Sequence, residues 1–464
     1  MLLAIIGAGV FEYGGPVPAT VGIGSCTSEP SSARALAQAP PPPAPAPPPE
    51  PPAVDEVEPI NDSEGYTPAV GEGAAPSALS INGYVDVGFA KAQGDGTSFA
   101  PNDTRVPLDY VSDGFAPAVN SRGDAASTYP GPNRVVNGFL PRSAGIGGRP
   151  SFLLNTMSVD FKYAPTFAPV TMFSRVQFLP RFTGEGDDTR VYVEQAFGRI
   201  IPFDSQELAL GVGKFDSVFG IEYLDNQANI RTGITPSLIA RYTTGQSVGA
   251  KLFYRLQIAP LWSAVSLNAA ATNSGNFIEA LQPPDASLTG VPVATARLGY
   301  ELNAPVVQVK LGASAMYGPR NDQGDRTARQ RAYGADLRIA VAGLYVNAEY
   351  VRVDEDEGGV KVTSIGVYPF ASGFAARGGY AQLAYALALD WGPLRRLTVY
   401  GRYDRRHAEF TGYTPITVYR VTAGLRLDVW DAVILKGEWL GNREVAGAPT
   451  VANDVITSSL VYSW

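Results

Sequence analysis

Oppositely charged residues recur at even spacing along several stretches of this chain: Arg297/Glu301, Asp336/Arg338, Arg402/Asp404, Arg426/Asp428 and Lys436/Glu438. In an extended segment, even spacing puts both side chains on one face. Arg175, Glu194, Lys251, Arg255, Lys310, Glu349 and Arg420 fall on the same polar faces, as does Asp160. No acid/base pair stands out among them. The chemistry they suit is permeation: opposite signs side by side in a narrow aqueous space set up a transverse field that orders water and favours small polar solutes. A slight cationic excess favours anions. The plainer reading is that they solvate an interior and pair across strands.

Other chemistries find little support. The single histidine, His407, stands beside Arg405 and Arg406 in what reads as a loop after 396–404, as an ordinary surface residue. Cys26 is the only cysteine, so no Cys/His cluster offers a transition-metal site. No phosphate-binding or nucleophile-elbow motif stands in its required context, and neither enzymatic activity nor a cofactor is expected. The net charge of −8 argues against nucleic-acid binding. Acids gather at Glu185, Asp187 and Asp188 and at Asp354–Glu357, read as solvated loops. Divalent-cation bridging to surface lipid is a weaker reading of the same residues.

The elements that would position these charges are strands. Sixteen stretches read as extended: 80–91, 152–163, 170–179, 190–201, 207–215, 246–258, 262–272, 293–302, 306–317, 331–341, 344–353, 379–389, 396–404, 418–429, 432–440 and 455–464. Short connections (164–169, 202–206, 259–261, 303–305, 342–343, 390–395 and 430–431) alternate with long ones. The segment 235–243 has strand character, but counting it breaks the parity, and it is assigned to a loop. Within strands the faces separate. Val248, Ala250, Leu252, Tyr254, Leu256 and Ile258 oppose Gly249, Lys251, Phe253, Arg255 and Gln257. Such alternation, with plain turns at one end and elaborated loops at the other, predicts an all-β, antiparallel, up-and-down transmembrane barrel with apolar residues toward lipid and polar ones inward. The composition agrees: 17% charged, 10% aromatic and a mean hydropathy near zero.

Two places resemble a known family. The chain ends Leu460-Val461-Tyr462-Ser463-Trp464, similar to the assembly signal of outer-membrane barrels, carried by Leu460, Tyr462 and Trp464, with Trp in place of the usual Phe. Gly211-Val212-Gly213-Lys214-Phe215, then Phe219-Gly220-Ile221-Glu222, is similar to a signature of phosphate-selective porins and OmpL-like β-barrel porins; Val218 stands where proline is usual. The resemblance implies a water-filled channel, a homotrimer in many relatives, insertion by the barrel-assembly machinery, and contact with the lipid and lipopolysaccharide of a Gram-negative outer membrane. It does not imply phosphate, because acids interrupt the basic residues.

The chain divides into a signal peptide at 1–37, a disordered Pro-rich periplasmic linker at 38–79 and the barrel at 80–464. Ala35-Leu36-Ala37 matches a cleavage pattern, and lipidation at Cys26 is the rival. Sixteen strands enclose more space than side chains fill. One of the long connections, 92–151 or 216–245, is expected to fold inward and narrow it. The expected function is passive diffusion of small hydrophilic solutes. The alternative is a plugged barrel with a structural or surface-interaction role.

Overall fold

The computed structural model describes residues 79–93, 151–165, 169–178, 191–203, 208–258, 262–273, 291–320, 328–357, 360–363, 366–369, 373–445 and 454–464. The signal-peptide and linker assignments, Cys26, the acids at 185–188 and nearly all of connection 92–151 lie outside these residues.

Sixteen strands close into one antiparallel barrel. In chain order they begin with β1 (Leu79–Ala92), β2 (Ser151–Tyr163), β3 (Val170–Phe178), β4 (Val191–Ile200), β5 (Leu208–Asp216), β6 (Gln246–Ile258), β7 (Ser263–Thr272) and β8 (Val293–Asn303). They continue with β9 (Val307–Pro319), β10 (Arg329–Val341) and β11 (Leu344–Glu355). A small hairpin of β12 (Val360–Thr363) and β13 (Gly366–Pro369) interrupts the series outside the barrel sheet. The wall resumes with β14 (Phe374–Trp391), β15 (Leu394–Phe410), β16 (Ile416–Val429), β17 (Val433–Val445) and β18 (Val455–Ser463). β18 pairs with β1, so the sheet has no free edge. The segment 235–243 is not a wall strand; it holds a single helical turn, α1 (Ala240–Thr243).

Alternation builds the wall because each strand meets two different solvents. Along β15, Val399, Tyr403 and Arg405 are exposed while Thr398, Tyr400, Arg402, Asp404 and Arg406 are buried. Leu298, Leu311, Leu383, Val399, Val421 and Leu425 form part of an apolar outer band. Tyr163, Trp262, Trp391, Trp430, Tyr462 and Trp464 ring it near the short turns, and Tyr317, Tyr333, Tyr350 and Tyr403 ring it toward the long loops. Tyr300 faces Leu311 in register, and Tyr317 lies six residues further along β9, about 20 Å at the usual rise per residue. An apolar belt of that height between aromatic girdles is the exterior of a membrane-spanning barrel. The β10–β11 turn needs two residues with positive φ, which Ala342 (45°) and Gly343 (77°) supply.

The structure corrects the sequence reading near the long loops. β14 begins at Phe374 and β15 runs to Phe410, leaving only 411–415 before β16. His407 is therefore a strand residue, with its Nδ1 2.8 Å from the Thr417 hydroxyl. The run Arg405-Arg406-His407 looked like a loop because it is charged. The strand simply continues with its charges sorted: Arg405 and Glu409 point outward, while Arg406, Ala408 and Phe410 are buried.

Two β-bulges among the first four strands reset the faces. Arg175 pairs with Gln195 but Val176 with Val193, so Glu194 is an extra residue on β4. Asp86 pairs with Thr156 but Val87 with Leu154, leaving Asn155 extra on β2. At both places consecutive residues are buried, Glu194 with Gln195 and Asn155 with Thr156.

Candidate functional site

Residues 217–245, between β5 and β6, fold into the barrel. Backbone outside a ladder needs other hydrogen-bond partners when buried, and the far wall supplies them from charged side chains. The first contacts are on β9 to β11. Gly220 N donates to Ser314 Oγ (3.0 Å) and Ile221 N to Glu349 Oε1 (3.0 Å), while Arg338 donates to Ile221 O (3.0 Å) and Asp225 Oδ2 (2.8 Å). Gly220 has φ of +77°, and any Cβ there would overlap the Glu349 carboxylate.

The second set is on β15 to β17, half the circumference away from β5. Glu438 accepts from Ile234 N (2.6 Å), Thr235 N (2.9 Å), Thr235 Oγ1 (2.8 Å) and the Tyr400 hydroxyl (2.6 Å). Asp404 accepts from Leu238 N (3.1 Å). Arg402 donates to the carbonyls of Thr235 (2.9 Å) and Pro236 (3.0 Å), and Arg420 donates to Pro236 as well. Arg426 donates to Ile230 O (3.0 Å) and Arg231 O (3.2 Å). Lys436 donates to the carbonyls of Ala228 (2.6 Å), Arg231 (2.5 Å) and Gly233 (3.0 Å). Within the loop, Glu222 accepts from Ser237 N (2.6 Å) and from its hydroxyl. Apolar packing adds to this: Phe219, Leu238, Ile239 and Tyr242 join Met316, Val351, Val353, Phe374, Phe410 and Val418 in one buried cluster.

The loop thus occupies the β8–β17 side. On the other side a cavity of about 280 Å³ remains. Its wall comes from β1 to β7, with Tyr223, Leu224, Gln227, Asn229 and Ile230 of the loop facing it. Lys162, Arg175, Arg199 and Lys251 line it, against Asp160 and Asp216. Arg175 is engaged bidentately by Asp160 (2.7 and 2.8 Å) and lies 3.7 Å from Glu194, which accepts from Gln177 (2.7 Å).

Of the residues singled out by sequence, Asp160, Arg175 and Lys251 lie on this cavity and Glu194 lies beside it. Arg338, Glu349, Arg402, Asp404, Arg420, Arg426, Lys436 and Glu438 hold the loop. The remainder pair along the wall. Arg255 meets Glu301 (3.0 Å) across β7, Arg297 meets Asp336 (2.7 Å) across β9, and Asp428 binds Arg426 and Arg396 (2.8 Å each). Lys310 sits in register with Glu301 and Arg338. Of the five same-strand pairs, Arg402–Asp404 (3.0 Å) and Arg426–Asp428 bond each other. Arg297, Glu301, Asp336 and Arg338 bond across strands or to the loop instead. Lys436 and Glu438 both turn to the loop.

Arg199 escaped the sequence reading for a physical reason. From Glu194, simple alternation puts Arg199 outside; the extra residue at the bulge brings it in. Phe253 stood on a face already read as polar, and Lys162 lies two residues from Asp160 on another; neither was singled out. Nothing in the sequence marked Tyr223 or Asp216.

No protein-family profile and no curated protein sequence matches the chain. Among solved structures it is similar to OmpT, expressed in the outer membrane of Vibrio cholerae, with 11% identity over 84% of this chain and 99% of that one and a TM-score of 0.45. It is also similar to the outer-membrane channel DcaP of Acinetobacter baumannii, with 11% identity over 83% and 97% and a TM-score of 0.48. A third is the anion-selective porin from Comamonas acidovorans, with 8% identity over 84% and 100% and a TM-score of 0.42. Likenesses this remote say nothing about what passes through the barrel.

Proposed function

We propose that this protein is an outer-membrane porin of a Gram-negative bacterium, passing small hydrophilic solutes by diffusion with a weak preference for anions. The observation that carries the reading is the loop-narrowed space, lined by four cationic side chains against two carboxylates. A closed wall of sixteen strands is wide enough to keep an aqueous path, and the loop reduces it to a size at which wall charge influences which ions pass. Leu460, Tyr462 and Trp464 serve as the assembly signal, the exported chain loses 1–37, and the barrel works as a trimer in contact with lipopolysaccharide. Conductance in planar bilayers tests the reading. Stable channels whose reversal potential across a KCl gradient has the anionic sign are expected; absence of conductance removes the channel, and a strong cation preference removes the role given to the lining.

A second reading, a sealed barrel with a structural role, draws on the buried apolar cluster that joins the loop to β8–β16. The same conductance measurement separates the two.

A further inference from the structure

The inner wall of an aqueous channel is expected to be polar, yet four consecutive strands each place a phenylalanine on it: Phe173 on β3, Phe197 on β4, Phe215 on β5 and Phe253 on β6. The rings of Phe173 and Phe197 lie 5.4 Å apart. Cations are interleaved with them. The Arg175 guanidinium sits 5.3 Å from the Phe173 centroid, and the Lys251 ammonium sits 5.0 Å from the centroids of both Phe197 and Phe215. Lys162 and Arg199 stand on the same wall. On β5 two small residues, Ala209 and Gly211, line the recess beside Leu210 and Asp216. Tyr223, Leu224 and Ile230 of the loop cover it from the opposite side.

Diffusion of small ions needs none of these rings. Water against such a surface makes few hydrogen bonds, so a flat apolar group displaces it favourably, and ring faces gain a further offset or edge contact. A neutral ring brings no charge toward the neighbouring cations. A carboxylate can meet them, and a guanidinium takes a carboxylate with two parallel bonds.

We propose that this recess is a binding site for aromatic carboxylates, with the ring held among Phe173, Phe197 and Phe253 under Tyr223 and the carboxylate between Lys162, Arg199 and Lys251. The site rests on the channel reading and deepens it: the preferred solute is a ring-bearing anion, not any small anion. The 280 Å³ space lies near the lower end of ligand-pocket sizes and suits a single ring.

The test is current block in planar bilayers by the purified full-length protein, with benzoate, gluconate and acetate added separately in KCl. Benzoate is expected to halve the current at a concentration about tenfold below acetate, the factor that one ring contact supplies. Phe197→Leu and Gly211→Leu should each bring benzoate toward acetate. A Cβ at Gly211 would meet the flexible Lys251 stem at 3.2 Å and the Gly198 carbonyl at an ordinary 3.7 Å, and heat-modifiable migration checks that each variant is folded. Equal block by benzoate and acetate, or block by gluconate as strong as by benzoate, overturns the aromatic-anion site while leaving a conducting channel in place. A protein without conductance overturns the channel reading instead. Benzoate binding to the detergent-solubilised protein, measured by calorimetry, then decides the recess by itself: a ring-dependent affinity sustains the site, and its absence removes it.

Discussion

Glu438 makes as many hydrogen bonds to the inward loop as Lys436 or Arg402, and its removal has a computable consequence. Its carboxylate is 4% exposed and accepts four hydrogen bonds, three of them from Ile234 and Thr235. Bonds to a charged acceptor contribute about 1.5–3 kcal/mol each. Four do not add in full, since they share one charge and water reaches part of the lumen. For Glu438→Ala a working figure is about 3–5 kcal/mol, the range for deleting one partner of a buried ionic contact. At about 1.4 kcal/mol per factor of ten, the ratio of docked to released loop falls by roughly two to three and a half powers of ten. Arg231 reports on this directly. It is buried, and its guanidinium donates to Ile234 O (3.2 Å) and Asn226 Oδ1 (2.9 Å), so trypsin has no access to it while the loop is docked. In the variant, limited trypsin digestion should cut after Arg231, and single-channel conductance should rise and become noisy. Glu438→Gln keeps one good acceptor and should fall between. If Glu438→Ala resists trypsin at Arg231 and conducts like the parent, the carboxylate does not clamp the loop, and the anchoring scheme is wrong.

Phe219 is buried in the cluster between the loop and the wall; Phe219→Ala should cost about 3–5 kcal/mol, read as a lower thermal midpoint by circular dichroism in detergent. Leu298 is 57% exposed at the middle of β8, so Leu298→Arg places a charge in the acyl region at a cost of about 2–4 kcal/mol. Its barrel should lose heat-modifiable migration at a lower temperature, and unchanged migration would mean that this face does not meet lipid. Gly312 lets Arg297 reach Asp336 across β9, since a Cβ there would overlap both groups. Gly312→Val should destabilise by about 1–3 kcal/mol, visible as a lower denaturation midpoint.

Alternation made the wall legible. Lipid on one side and polar surroundings on the other impose a period of two on every strand, and the parity of short and long connections kept 235–243 out of the count. The same logic failed wherever the period was broken. An extra residue at Glu194 moved Arg199 to the opposite face, and no local signal announces such a bulge. Beyond the membrane the outer face meets water, so the charged strand ending at Phe410 looked like loop. The loop's anchors were hidden more deeply. Glu438 and Lys436 were placed on an inner face, but their partners stand some two hundred residues earlier in the chain, and only the closed wall brings that backbone across to them.

The seam between the first and last strands has a consequence for how the cylinder is made. Gly83 and Trp464 exchange backbone hydrogen bonds of 3.3 and 3.1 Å, and a Cβ at Gly83 would overlap the indole. Until the final segment docks there, β1 and β18 each display a row of unsatisfied amides and carbonyls, an adhesive margin for any stray chain. A polypeptide in which β18 has not yet met β1 carries both margins uncovered, so closing the ring is also what removes them.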